Sequence, residues 1–585
     1  MKKAFSSPTK ILAITFVILL LISVLTAAVN TVGFSVKIRR VNQIMDNGAN
    51  YSALASIPKS VNNQNPAPGV ILVHGNSTNA IQQSSHAIEL ARRGYVVISM
   101  DIAGRGQSEL GEGLVDAELT PSLIVWINYM LDSPIVDSDQ IIFSSHSMGG
   151  MLCGMAIKMM PGVIDTWVNN GTMLWADFEE YNLGLFGGAY EFRTGNDVKE
   201  AFGPFIGMDP ADVEYGKIYE VEGLKFQCNA SNRIHSAVYW NSDSVQQLCD
   251  FLHETNPTGT YIPGSNQIWW IHSALGMLGM AAIIAFMLAL VNALANTEFF
   301  SIVRQPLPRA FEFSKGGFAI SAVIAVLVVF LGYGPFTQLY KFLLPSTSTM
   351  FPTVLANGMV TFVLAVAVIS LILGIPFFAR TKKQNAVLAD YGVTTAGNSR
   401  LSWTLIWKSG LIALISVFVV YLWLKIMEDL SGADFVCGCM GLQSITPLRL
   451  RIAIPYIVLY FISFLVSGFV HNVERRLPST GNKTKDDCIA FFVNVAIGTL
   501  GMLLYVVVTL VYDKTTLGAN NTIGFMNVGL HTIFAYGLIW FMAVTSAVST
   551  VCYRITGSIW TGAFVNALYA GCTLLTVVPM TAIVR

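Results

Sequence analysis

The sequence predicts two architectures in one chain: a doubly wound, mostly parallel α/β sheet and an all-α bundle of membrane-spanning helices. Three observations predict them. Of 585 residues, 53% are apolar and only 12% charged, with a mean hydropathy of +0.57, whereas an ordinary soluble domain carries about 25% charged residues. Mixed polar and charged sequence is concentrated between residues 34 and 263, with apolar runs before and after it. Within that stretch, continuous apolar strands alternate with helix-like segments, the pattern of a parallel sheet wrapped on both faces.

The apolar runs come first in the argument because a bilayer needs roughly 20 consecutive residues to cross it. Ile11 to about Val32 follows the basic start Met1-Lys2-Lys3. Ala27-Ala28 offers a signal-peptidase site, but a signal h-region is only about 7–15 residues long, so an uncleaved anchor is expected. Further spans are expected at Ile268–Leu294, Gly317–Phe336, Phe351–Phe378, Leu411–Met427, Ile452–Val470, Ile489–Val511, Asn527–Val551 and Gly562–Met580. The division is thus an anchor over 1–33, a water-soluble domain over 34–263 and a transmembrane domain over 264–585.

Basic residues orient it. Alternate loops hold Arg304, Arg309 and Lys315; Arg380, Lys382, Lys383, Arg400 and Lys408; Arg475, Arg476, Lys483 and Lys485; and Arg554. The intervening loops hold little beyond Lys341, Arg449, Arg451 and Lys514. The first set is expected in the cytoplasm, with residues 34–263 outside and the N-terminus inside. Lys37, Arg39 and Arg40 oppose this, but they are expected in a first strand, and folded domains translocate largely regardless of charge. An integral protein of the cell membrane is the expectation.

Lys+Arg 35 balances Asp+Glu 35, so no positive excess exists for a phosphate backbone and no nucleic-acid partner is expected. The eight cysteines form no paired CxxC, which argues against a zinc site or disulfide framework. Pairing of Cys437 with Cys439, or of Cys228 with Cys249, stays open. No H-E-x-x-H and no G-x-x-x-x-G-K-[ST] loop occurs, so neither metal nor cofactor is expected.

Gly69–Gly75, Tyr95–Asp101 and Gln140–Ser145 read as buried parallel strands. After the third comes Ser145-His146-Ser147-Met148-Gly149-Gly150, then an apolar helix, Met151–Ile157. A G-x-S-x-G elbow sets a serine on a sharp strand-to-helix turn; here Ser145 replaces the first glycine. With His74-Gly75-Asn76 after the first strand and Asp101-Ile102-Ala103-Gly104-Arg105-Gly106-Gln107-Ser108 after the second, residues 35–255 resemble the α/β-hydrolase fold family. The G-x-G inside the second loop lacks the third glycine of a dinucleotide fingerprint.

The resemblance implies a serine hydrolase with Ser147 as nucleophile, in the order nucleophile, acid, histidine. His235 and His253 follow the serine. His235, between a final strand at about Leu224–Cys228 and a helix at Ser244–Leu252, takes the base position, and His253 fits a helix C-terminus. His74 and His86 precede the serine and fit no base role. Glu191, after a strand at Asn182–Gly188, is the expected acid, with Asp197 next. The backbone N–H groups of Met148 and Asn76 are the expected oxyanion donors. His146 is expected to pack under the elbow or touch substrate.

The expected reaction is cleavage of an ester, thioester or amide through an acyl-enzyme, on a small or lipid-like acyl substrate beside the bilayer. Acyl transfer from the same serine is the close variant. A non-catalytic ligand-binding domain on a transport or signalling protein is the alternative of another class. Oligomeric state is left open.

Among the helices, His272, Asn292, Lys425, His471, Asn494, His531 and Asn566 read as interhelical hydrogen-bonding groups or as a pathway. Arg554–Trp560 followed by Phe564-Val565-Asn566 resembles the last motif region of the CAAX-protease/bacteriocin-processing membrane family. That family uses paired glutamates followed by an arginine, and the nearest stretch here, His471-Asn472-Val473-Glu474-Arg475-Arg476, has His471 and Asn472 in their place. The resemblance implies a scaffold without that proteolysis.

Overall fold

A computed structural model describes residues 7–111, 115–171, 180–190, 198–311, 315–345, 348–432, 434–438, 440–515, 526 and 530–581. The strands β1 (Val36–Ile44), β2 (Asn50–Pro58), β3 (Ala67–Val73), β4 (Val96–Met100), β5 (Val136–His146), β6 (Ile164–Asn170), β7 (Asn182–Tyr190), β8 (Ile218–Val221) and β9 (Leu224–Ile234) form one sheet. Its order is β1-β2-β4-β3-β5-β6-β7-β9-β8. Pairs from β4 through β3, β5, β6 and β7 to β9 are parallel, while β1/β2, β2/β4 and β8/β9 are antiparallel. Every residue of β3 is buried, which a strand covered on both faces requires.

The period-2 alternation of β3 feeds two cores. Val70 and Leu72 pack toward α2 (Ser84–Arg92) and α6 (Ser242–Thr255), beside Leu90, Leu248 and Phe251. Ile71 and Val73 pack on the other face with Trp126 of α3 (Val115–Leu131), Leu152 of α4 (Met148–Met159) and Phe202 of α5 (Val198–Phe205). The sheet is therefore doubly wound.

The apolar elements are α1 (Ser7–Asn30), α7 (Trp269–Ala295), α8 (Lys315–Gln338), α10 (Val354–Leu373), α12 (Trp403–Ser431), α13 (Pro447–Phe469), α14 (Lys483–Thr515), α15 (Leu530–Thr556) and α16 (Ile559–Val577), with the short α9 (Tyr340–Leu343) and α11 (Ile375–Lys383) between. Among the described residues nine helices are long and apolar enough to cross a membrane. α16 packs against α12, α13 and α15. α1 is tied in where Trp423 Nε1 donates to Ser23 Oγ (3.0 Å) and Asn30 Nδ2 to Gly432 O (3.0 Å). Most polar groups expected in the helices are consumed locally. Asn494 donates to Thr550 Oγ1 (3.0 Å), and Asn472 to Ser549 Oγ (3.1 Å). Asn566 Nδ2 donates to Thr545 O (2.8 Å), and Lys425 pairs with Asp429.

A hairpin of β10 (Phe435–Cys437) and β11 (Met440–Leu442) joins the halves. Val436 shares a small core with Leu54, Ala80 and Ile81 of the sheet domain. On its other side, a side chain at Gly276 of α7 would collide with the Val436 backbone. Cys249 is a buried free thiol, so it is not bridged to Cys228; Cys437 is likewise free, and Cys439 lies outside the described residues.

Candidate active site

β5 runs directly into Ser147, which sits at φ 54°, ψ −122° before α4 begins. A non-glycine residue held there costs of the order of 1–3 kcal/mol, so its surroundings must enforce the turn. Ser147 N–H donates to Asn170 O (3.0 Å), and Gly150 N–H to Ser147 O (2.9 Å). A side chain at Gly149 would overlap the Val73 carbonyl oxygen, so only glycine lets α4 pass this close to β3. Ser145 is small enough for the strand side of the elbow, and its buried hydroxyl accepts from Trp167 Nε1 (2.9 Å). That hydrogen bond gives a physical reason for serine where the motif has glycine.

His235 is the first residue after β9, in a short 3₁₀ turn, and its Nε2 lies 2.8 Å from Ser147 Oγ. The two residues, 88 apart in sequence, meet over the carboxyl edge of the sheet. His253 is in the last turn of α6 with its ring against Tyr261, 4.5 Å between centroids. Glu191 and Asp197 lie outside the described residues.

His146 is buried with its ring 4.3 Å from Tyr239 and 4.9 Å from His235. Its Nε2 donates to the backbone carbonyl of His235 (3.0 Å), which fixes the turn carrying the second imidazole. Asn76 and Met148 flank the serine, and one residue that sequence reasoning missed touches both. Arg105 Nη2 donates to Asn76 Oδ1 (2.6 Å) and lies 3.7 Å from Met148 Sδ. Nothing in the sequence spacing signals that bridge.

The loop after β4 is built around a carboxylate. Asp101 accepts from Ala80 N–H (2.8 Å), Gln107 N–H (3.0 Å) and Arg40 Nη1 (2.9 Å). Gly106, at φ +50°, leaves no room for a side chain beside that carboxylate. Ser108 Oγ donates to Asp101 O (2.6 Å) and accepts from Ser52 N–H (2.8 Å). The second glycine of the loop thus makes room for a side chain of the protein itself, while Gly104 packs against Leu110. The bundle reaches this loop as well. Arg40 also pairs with Glu428 of α12 (2.8 Å), and Gln107 Nε2 donates to Glu428 (2.7 Å). Arg449 of α13 donates to Gly104 O (2.8 Å), as does Met580 N–H (2.8 Å). None of these contacts was visible in sequence.

Three histidines near the site are buried neutral. Burial pushes His74 down to about 3 and His86 to about 4, and burial followed by the neighbouring His235 pushes His146 well below its ordinary value. His74 accordingly accepts Ile102 N–H at Nε2 (3.0 Å). An unfolded histidine binds a proton below about pH 6.5, whereas these three do not until far lower. Unfolding therefore takes up protons, and stability rises with pH between about 4 and 6.5. Each histidine is expected to contribute about 1.4 kcal/mol per pH unit there. Thermal unfolding at pH 5 and pH 7.5 should show the loss on acidification, and His86→Gln should flatten the slope.

No protein-family model matches the chain, and no curated protein matches it either. Among solved structures it is similar to the epoxide hydrolase VrEH1 of Vigna radiata, with 18% identity and a TM-score of 0.20 over 24% of this chain and 39% of that one. It is also similar to a CIB-like hydrolase of Thermoplasma acidophilum, with 15% identity and a TM-score of 0.29 over 37% of this chain and 99% of that one. A third is the thioesterase domain from the curacin biosynthetic pathway, with 18% identity and a TM-score of 0.20 over 23% and 44%. The match spans about two fifths of the epoxide hydrolase. These neighbours are hydrolases; the doubly wound architecture of this chain rests on its own strand order and elbow.

Proposed function

We propose that the chain is a membrane-bound serine hydrolase acting on an ester, thioester or amide. One observation carries the reading: a serine held at a strained strand-to-helix turn with an imidazole nitrogen 2.8 Å from its hydroxyl. A serine hydroxyl needs such a base to attack at neutral pH. Ser147 Oγ attacks the carbonyl carbon as His235 Nε2 takes its proton. The developing oxyanion is held by the Met148 and Asn76 N–H groups. His235 then protonates the leaving group as its bond to the acyl carbon breaks. Water attacks the acyl-enzyme by the reverse proton route and frees the acid and Ser147. Glu191 is the acid of the set; it follows β7, whose last residue, Tyr190, pairs with Ile234 just before His235. The loops flanking the serine touch α12, α13 and α16, which supports an acyl substrate arriving from the lipid phase.

A fluorophosphonate probe should label the purified full chain at Ser147 and leave an equally well folded Ser147→Ala variant unlabelled. Absence of labelling in folded wild type would transfer the preference to a ligand-binding domain. An ester chain-length series then sets acyl preference, and an added alcohol acceptor separates hydrolysis from transfer.

The proposed orientation places this domain outside the cytoplasm. Pro66 is exposed on the sheet domain, and Cys488 is exposed near the start of α14. In intact cells a membrane-impermeant maleimide is expected to modify Pro66→Cys at once and Cys488 only after lysis. The opposite order would invert the topology.

A further inference from the structure

The bundle holds a cavity of about 360 Å³ between α8, α10, α13, α14 and α15, far along α13 from Arg449. A second, of about 460 Å³, adjoins it, and both are lined by His471 and Arg475. Here α13 passes into a wider turn: Arg475 N–H donates to Val470 O, five residues back (3.0 Å). Such π-turns frequently occur at functional sites.

Arg475 is only 6% exposed, yet its Nε and Nη1 have no hydrogen-bond partner among the described residues, and the same is true of His471 Nδ1. Glu474 lines the first cavity, but among the described residues it forms no ion pair with Arg475 within 4.0 Å. Glu474 attracts Arg475 electrostatically, yet two buried N–H groups of the guanidinium are left without an acceptor, which is costly, so the site suits an acceptor that the protein does not supply. The second cavity is lined by Arg309, Arg476, Lys483 and Arg554; Arg309 pairs with Asp390, and Lys483 and Arg554 share Asp487, so the unpaired donors of Arg475 mark where an anionic head would sit. The first is otherwise largely apolar, with Met359, Phe362, Val366 and Phe541 in its wall.

We propose that these joined cavities bind an anionic amphiphile: a phosphate-type head between His471 and Arg475, and an alkyl chain among Met359, Phe362, Val366 and Phe541. Arg475 supplies charge-assisted hydrogen bonds to the head, and the apolar wall takes the chain. This site is independent of the Ser147 chemistry.

The test uses the full chain in a neutral maltoside detergent, with a dodecyl phosphate carrying a diazirine in its alkyl chain. Photolysis is expected to place adducts on Met359 or Phe362, both buried inside the bundle. Unlabelled dodecyl phosphate should suppress them at least tenfold more effectively than dodecanol or inorganic phosphate. Arg475→Gln should lower labelling about tenfold, the loss of a charge-assisted contact, with Arg475→Lys retaining most of it and fluorophosphonate labelling of Ser147 unchanged. Equal competition by dodecanol overturns the anionic head, and equal competition by inorganic phosphate overturns the amphiphile. Adducts confined to outward positions that line neither cavity, such as Phe418 of α12, overturn the site. The competition series needs no variant, so it decides the question even if Arg475→Gln does not fold.

Discussion

Replacing His235 by alanine is expected to lower kcat for ester hydrolysis by about 10⁴- to 10⁶-fold, with KM changed little, because residues of such a set act as a unit. The cause is the 2.8 Å contact between His235 Nε2 and Ser147 Oγ: without it the hydroxyl keeps its proton in the attacking step. Ser147→Ala should cost about as much, and the double variant no more than either single one. His146→Gln is the control. His146 touches the backbone of His235 and is held neutral by burial, so its loss should shift the position of the base while leaving most of the rate. A fall as large as that of His235→Ala would assign the proton transfer to the wrong ring. Steady-state rates over a pH series, with melting temperatures as a check on folding, decide between them.

The second large effect is structural. Arg40→Met is expected to destabilise the junction by about 3–5 kcal/mol, the penalty for removing one partner of a buried ion pair. Arg40 is 12% exposed and lies between Asp101, 2% exposed, and Glu428, 7% exposed. Once it is gone, two carboxylates face each other in a dry interface, with Ser444 and Gln107 left as donors to Glu428. Burial already raises the Asp101 carboxyl above its ordinary value, against the pull of Arg40. In the variant that carboxyl can be neutralised by protonation, so the deficit should shrink as pH falls. Adding Glu428→Gln should restore part of the melting temperature at pH 7.5. A variant as stable as wild type at that pH would mean that the three charges are hydrated.

Local signals carried much of the fold. The apolar run Val70–Val73 is a strand because it is covered on both sides, and its alternating side chains enter two separate cores. The Ser147 elbow was legible because its demands are short-range: a small residue at 145, glycine at 149 and a strand before a helix. His235 was placed by its position between β9 and α6. Contacts between distant segments were illegible. Arg40, Asp101 and Glu428 are brought together across 388 residues, and no periodicity or motif encodes such a meeting. Arg105 carries no signal of its own within the glycine-rich loop, and only the fold brings its guanidinium to Asn76 and Met148. His471 read as a polar group like Asn494 or Asn566; only its position on two cavities sets it apart from those interhelical donors.

The Gly104 carbonyl accepts from Arg449 and from the amide of Met580. A ribosome finishes Ser147 and His235 long before it reaches either donor, although domains generally fold as they emerge. The nascent sheet can close early, yet the loop beside its serine gains these two fastenings only after the helices that carry Arg449 and precede Met580 have been made. A polypeptide released before Arg449 would carry both reacting groups and lack that clasp.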